Sequence, residues 1–351
     1  MHDVLRQLAE GQLLTTEQTV AAFEAIMTGR ATPAQTGALL AMLQMRGPTV
    51  DEIVGAVQVM RDKVTPVVVP EGLTVVDTCG TGGDHCRTFN ISTAAAIVAA
   101  GAARPHNVAI AKHGNRAVTS QSGSSQVLEA LGVKLNVRGE TLTRCLDEAG
   151  LCFCFAPLHH PAMKHAAPVR GELGFRTIFN LLGPLTNPAG ARRQVIGVFQ
   201  RELVDTIAQV LVRLGTEHAM VVHGRVEDCP TGLDEITTTG ITDIATVRDG
   251  KIDRTELDCE RLNLPRVQLE VLQVDSPQMS AEMIRYVLSG ATGPARDIVC
   301  INAAAALVVA DIVRELGPGL ELAQRAIDNG DALRALETLV EVTQADATAL
   351  A

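Results

Sequence analysis

Asp77-Thr-Cys-Gly80-Thr-Gly82-Gly83-Asp84 sets three glycines within four positions, directly behind the apolar run at 73–77. Glycine lets successive N–H groups turn toward one point and approach an anion closely, which makes a backbone phosphate cradle. Asp84 in such a loop repels a bare phosphate, so a cation or a ribose hydroxyl belongs between them. The loop lacks the G-K-[ST] of a Walker A motif and the spacing of G-x-G-x-x-G. On its own it also reads as an ordinary tight turn. Phe89-Asn-Ile-Ser-Thr93 follows, at the start of an Ala-rich segment. Asn, Ser and Thr there can cap a helix, and the same orphan donors can hold a phosphate.

Lys112-His-Gly-Asn-Arg116, continuing through Ser120 to Ser122-Gly-Ser124, gathers two cations, an amide and several hydroxyls in one stretch. That set suits a diphosphate or a sugar phosphate, whereas a lone run of this kind would be a solvated loop. Asp234-Glu235 offers hard oxygens of the sort Mg2+ takes beside substrate phosphates, although adjacent acids are also common on surfaces. His159, His160 and His165 have no Cys or carboxylate nearby at metal spacing. That favours pocket or structural histidines over zinc. No G-x-S-x-G is present, and no cysteine has an evident partner base. Together these residues point to a diphosphate, Mg2+ and a sugar, without covalent catalysis.

Positioning such loops takes strands that end beside one another. The first 65 residues read as helices only, with start signals at Thr15-Thr-Glu-Gln18, Thr32-Pro33 and Thr49-Val-Asp-Glu52. Pro66 and Pro70 bracket a domain junction. Beyond it the pattern predicts strands at 73–77, 107–111, 151–156, 194–199 and 218–223. Helices are predicted at 93–101, 124–131, 173–182, 201–214, 279–289 and 297–313. That alternation is the signature of an α/β domain with a largely parallel sheet, whose ligands bind beyond the carboxyl ends of the strands.

The chain has 351 residues, 46% hydrophobic and 20% charged, which suffices for a sizeable core in about two domains. Its formal net charge is −10, with 2% aromatic residues and no Trp. An acidic, aromatic-poor chain lacks the footprint and stacking surfaces of a nucleic-acid binder. No apolar run approaches a membrane span, and the first ten residues carry no signal-peptide core. The eight scattered cysteines read as free, mostly buried thiols in a reducing cytoplasm.

Gly80-Thr-Gly-Gly-Asp84, Asn90-Ile-Ser-Thr93, Lys112-His-Gly-Asn-Arg116 and Arg170 with Arg176-Thr-Ile-Phe-Asn-Leu-Leu-Gly-Pro-Leu-Thr-Asn-Pro188 occur in a familiar order. Over residues 3–340 the chain resembles the anthranilate phosphoribosyltransferases. The resemblance implies an α/β fold with a small N-terminal helical domain (1–65), joined by the segment near 160–185. The rest (71–351) would be a large α/β domain of the nucleoside phosphorylase and phosphoribosyltransferase kind. It implies a cytoplasmic homodimer held through the helical part, with no nucleic-acid or membrane partner. The implied reaction moves phosphoribose from phosphoribosyl pyrophosphate to anthranilate in tryptophan biosynthesis.

By match of motif, phosphoribosyl pyrophosphate falls to Gly80, Gly83, Asp84, Thr88, Asn90, Ile91, Ser92, Thr93, Lys112, His113, Gly114, Asn115, Ser120 and Ser124. Anthranilate falls to Gly80, Asn115 and Arg170, and Mg2+, as two ions, to Ser92, Asp234 and Glu235. Lys112 and Asp84 are the implied catalytic residues. The chain departs from the family pattern at Ser125-Gln126 (usually Ala-Asp), at Gly171 (often basic) and in a longer stretch at 223–234. Alternative readings are a pyrimidine nucleoside phosphorylase-like enzyme, which would lack the 112–116 and 176–188 signatures, and a non-enzymatic nucleic-acid-binding homologue, which would carry a basic groove.

Overall fold

Three threonines start the N-terminal helices that follow α1 (His2–Ala9). Thr15, Thr32 and Thr49 each accept from the third backbone N–H of α2 (Thr16–Met27), α3 (Pro33–Arg46) and α4 (Val50–Asp62), and Gln18, Gln35 and Glu52 reciprocate. Each such box satisfies two orphan donors. Glu52 does more, although fully buried. Its carboxylate also accepts from Leu14 N at 3.1 Å and from Arg46 at 2.5 Å, which fastens the segment before α2 to the α3–α4 turn.

The computed structural model describes residues 1–116, 123–227 and 229–348. Strand and helix alternate from β1 (Thr74–Gly80) through α5 (Ile91–Ala103), β2 (Val108–Gly114), α6 (Ser124–Leu131), α7 (Gly139–Arg144) and β3 (Leu151–Phe155). Short helices α8 (Ala156–His159), α9 (Ala167–Leu173) and α10 (Phe179–Leu182) lead to β4 (Arg193–Gly197), α11 (Glu202–Arg213) and β5 (His218–Val226). Then come β6 (Cys229–Leu233), β7 (Ile241–Arg248) and β8 (Lys251–Asp258). Four helices close the chain: α12 (Pro277–Leu288), α13 (Pro294–Val309), α14 (Leu316–Asp328) and α15 (Asp331–Thr348). The sheet runs β3-β2-β1-β4-β5-β7-β8, with β6 paired to β5. The pairs from β3 to β5 are parallel, and β6, β7 and β8 join antiparallel.

Two strands outrun their predicted ends. β1 continues to Gly80 because Asp77 to Gly80 pair with Gln194 to Gly197 of β4. β2 continues to Gly114 because Lys112 to Gly114 pair with Phe153 to Phe155. Lys112 and His113 are therefore fixed on a central strand, not carried on a loop.

The sheet separates two apolar cores. One takes α5, α13, α14 and α15 against side chains such as Val195, Met220, Val222 and Ile244. The other takes α2, α3, α4, α10 and α11 against Ile196, Ala219, Val221 and Ala245. Alternate residues of one strand thus serve opposite cores, as the period of two requires. His159 ties the domain junction down: its ring donates to Thr65 O at 2.8 Å, and its own carbonyl accepts from Thr65 N at 2.7 Å.

The expectation that every cysteine is free needs correction. Six are free and buried, but Cys86 and Cys229 form a disulfide with Cα atoms 6.2 Å apart. The two lie 143 residues apart in sequence, and only the placement of β6 beside the glycine loop brings them together.

Candidate active site

β1 and β4 are parallel neighbours from which the chain departs in opposite directions, to β2 on one side and β5 on the other. Loops beyond such a switch point diverge and leave a crevice. Gly80 and Gly197 face each other in register at its floor. A Cβ on Gly80 would overlap the Asp234 carboxylate, and one on Gly197 would overlap the Asp234 backbone. Both strands end in glycine because Asp234 lies directly across them. Gly82 and Gly83 then turn with φ of 67° and 78°, a region open to glycine. The Gly82 N–H donates to Asp234 Oδ2 at 2.7 Å.

Carboxylate oxygens of Asp84, Asp234 and Glu235 all lie within 4.8 Å of one another. Burial, reinforced by Asp234, pushes Asp84 up to about 7. Burial, then Asp234 and Asp84, pushes Glu235 well above the usual carboxylate range. Glu235 Oε2 is buried without a hydrogen-bond partner. Three acids crowded together with an orphan oxygen fit a hard divalent cation such as Mg2+, whose charge would relieve the repulsion.

Behind the glycine loop, Lys112 is buried, donating to Thr78 O at 2.5 Å and to Ser92 Oγ at 3.3 Å. Beneath it, Asp77 accepts from His113 N at 3.1 Å, and burial raises its carboxyl to about 6. The His113 ring meets Gly183 O at 2.9 Å through Nδ1 and His160 Nε2 at 3.2 Å through Nε2. A carbonyl only accepts, so His113 Nδ1 carries the hydrogen and His160 donates to His113 Nε2. Burial, then its histidine neighbour, holds His113 down to about 3; burial, then His159, holds His160 at about 4. Both rings are neutral and fixed as tautomers near pH 7.

The three acids, Lys112, His113 and His160 line one cavity of about 590 Å³ at the carboxyl ends of β1, β2 and β3. Of the residues assigned from the sequence, Gly80, Gly83, Asp84, Thr88, Asn90, Ser92, Lys112, His113, Gly114, Asn115, Ser124, Arg170, Asp234 and Glu235 all line it. Ile91 and Thr93 do not. Both are buried, on the part of α5 that faces the core, and Ile91 packs there among the aliphatic residues. Ser120 lies outside the described residues. Arg170 does not precede a helix at 173–182 as expected. It sits inside α9, which Gly174 ends with φ of 64°, and α10 follows separately. The Arg170 guanidinium stands 5.2 Å from the Phe179 ring centroid, facing the cavity. No carboxylate among the described residues pairs with it.

Other wall residues include two read only in outline from the sequence, His160 as a pocket or structural histidine and Arg116 as a second cation of its stretch, and two with no assigned role. His160, Arg87, Arg116 and Lys164 line the cavity. Arg176 holds the glycine loop from outside: it donates to Gly83 O, meets His85 Nε2 at 2.8 Å, and stacks 4.1 Å from the Phe199 ring. Its place at the head of the 176–188 motif is the only sequence signal for it. For Lys164 there was none.

Residues 72–333 match the family described as glycosyl transferase family, a/b domain, and residues 2–64 match the glycosyl transferase family, helical bundle domain. An anthranilate phosphoribosyltransferase from Symbiobacterium thermophilum is 50% identical over 343 residues, covering 98% of each chain. That of Thermomicrobium roseum is 50% identical over 349 residues, 99% of this chain and 98% of the relative. Among solved structures, the anthranilate phosphoribosyltransferase of Thermus thermophilus superimposes with a TM-score of 0.88 at 39% identity, covering 97% of this chain and 99% of that one. The Saccharomyces cerevisiae enzyme in complex with PRPP and Mg gives 0.83 at 26% identity, covering 97% of each.

Proposed function

The chain belongs to the anthranilate phosphoribosyltransferases, and on that footing we infer that it transfers phosphoribose from PRPP (phosphoribosyl pyrophosphate) to the amine of anthranilate. The products are N-(5-phosphoribosyl)anthranilate and pyrophosphate. The observation that carries this reading is the meeting, in one cavity, of a glycine cradle, three crowded acids and an unpaired arginine.

Roles follow from the chemistry of each group. Asp84, Asp234 and Glu235, with Ser92, would hold Mg2+, and the backbone N–H groups of Gly83 and Asp84 with Ser92 and Ser124 would hold phosphate oxygens. When bound, Mg2+ supplies Lewis-acid neutralisation of charge on the departing pyrophosphate. Lys112 adds fixed positive charge from beneath. Bond cleavage at C1 sends the electron pair to pyrophosphate and leaves positive charge on the ribose ring. The anthranilate nitrogen closes on C1 and gives up a proton to the departing pyrophosphate or to solvent. Arg170 grips the anthranilate carboxylate in a planar two-bond clasp, and Asn115 completes the acceptor end. That arrangement sets the nitrogen over C1 in attack geometry. Asp77, Asn187 and the paired His113 and His160 rings keep this floor rigid; Asn187 donates to Ala111 O at 2.7 Å.

We further propose a homodimer held through the helical part, because Leu13 and Met45 stand 56% and 89% exposed there. A cytoplasmic location is part of the same reading, in which six cysteines are free and the one disulfide is a reversible bond. Loss of anthranilate fluorescence in the presence of PRPP and Mg2+ tests the activity. Consumption at background with both present would overturn it.

A further inference from the structure

The disulfide lies where the two halves of the cation site meet. Cys86 stands two residues beyond Asp84, between His85 and Arg87, whose φ values of 62° and 58° are both in the left-handed region. Cys229 opens β6, and β6 ends at the residue before Asp234. On its far side the 84–89 segment is already fastened: Arg87 O accepts from Val274 N and Phe89 N donates to Leu272 O, each at 2.9 Å. On the near side, apart from contacts of the two cysteines themselves, hydrogen bonds tie the described residues of the glycine loop to the 229–235 stretch: Thr231 Oγ1 to Asp84 O, Gly82 N to Asp234 Oδ2, and the Asp84 carboxyl to the backbone and side chain of Asp234. Those ties must hold three mutually repelling acids within 4.8 Å of one another. The covalent bond spans that same gap.

We propose that Cys86 and Cys229 form a reversible redox modification site that sets how well the pyrophosphate end of the cavity is preorganised. Closed, the disulfide holds Asp84 against Asp234 and Glu235. Open, the two thiols let the 81–87 loop and β6 separate until PRPP and Mg2+ draw them together, so affinity for that substrate falls. This rests on the reading that this end of the cavity takes PRPP and Mg2+.

Opening needs a dithiol reductant. Its thiolate attacks one sulfur of the bond, the other sulfur leaves as a thiolate, and the reductant's second thiol then displaces the first. The protein gains two electrons and two protons as two thiols, and the reductant leaves as a cyclic disulfide. Closing uses a low-molecular-weight disulfide as oxidant, which departs as two thiols while the protein loses the same two electrons and two protons.

The full-length protein is prepared in two forms, one treated with dithiothreitol and desalted, the other equilibrated with oxidised glutathione. Each is alkylated under denaturing conditions and digested for mass spectrometry, and in parallel assayed with PRPP and anthranilate varied in turn. The oxidised form should yield the Cys86 and Cys229 peptides joined, and the reduced form should yield them separately alkylated. Reduction should raise the PRPP KM by about three- to tenfold while the anthranilate KM and kcat stay within about twofold. Cys86→Ser and Cys229→Ser should each show the raised KM whichever reagent is used. Absence of the joined peptide after oxidation overturns the proposal, and so does an equal PRPP KM in the two forms. If neither form turns over anthranilate, the functional reading fails instead, and calorimetric affinity for PRPP with Mg2+ in each form still decides this one.

Discussion

Arg170 is a cation without an anion. Burial lowers its pKa, its guanidinium lies over the Phe179 ring, and it faces the cavity unpaired. Hydrogen bonds to charged groups contribute about 1.5–3 kcal/mol, so Arg170→Ala should raise the anthranilate KM by roughly ten- to a hundredfold. The PRPP KM should move much less, and steady-state kinetics with each substrate varied would show an equal loss for both if Arg170 were merely structural. Asp84 predicts a pH effect that needs no turnover. In the metal-free fold its carboxyl titrates near 7, above its unfolded value. Between about pH 4 and 7 the folded state therefore binds more protons than the unfolded one, and this group's contribution to stability declines as pH rises. Mg2+ replaces the proton as the neutralising charge. Thermal melts should accordingly show a larger Mg2+-induced rise in Tm at pH 8 than at pH 6, and an equal rise at both would remove Asp84 from the cation site.

At the scale of elements, the glycine that ends β4 carries a prediction of its own. Gly197→Ala inserts a methyl group where the Asp234 backbone lies, so Asp234 must shift off both strand ends. The Mg2+ concentration for half-maximal activity should rise at least tenfold, while far-UV circular dichroism stays native because the strand itself accepts alanine. An unchanged Mg2+ titration would show that the acid pair tolerates displacement. Gly197 drew no attention in the sequence, since nothing local marks it; its constraint comes from a residue 37 positions further on. The capping threonines and the glycine loop behind β1 were legible because each signal is contained within a few residues. β7 and β8 were not, since β7 is largely buried on both faces and β8 largely exposed on both, so neither shows the alternation of a half-buried strand. The same lack of a local mark hid the Cys86–Cys229 pairing and the extra residues at the ends of β1 and β2, which owe their extension to β4 and β3.

For the molecule as a whole, the cavity draws its walls from both sides of the second core: Met60, Met163 and Arg170 from the helical side, Gly80 to Asp84 from the sheet. Substrate is therefore enclosed only when the helical part is seated. If the dimer contact lies on the outer face of that part, Met45→Glu together with Leu13→Glu should give a species that sediments as a monomer and keeps a native melting transition. A dimer unchanged by both would put the contact elsewhere. The shared core also bears on how the chain is made. Residues 2–62 leave the ribosome ahead of their partners: α11, which packs between α4 and the sheet, begins only at Glu202, 140 residues later. At about 5–20 residues per second the α11-facing surface of α4 waits roughly 7–28 s for its partner. A nascent chain stalled before residue 202 should thus expose that surface to protease and to holding chaperones, and a helical bundle that looks autonomous along the sequence would be among the last parts of the protein to become stable.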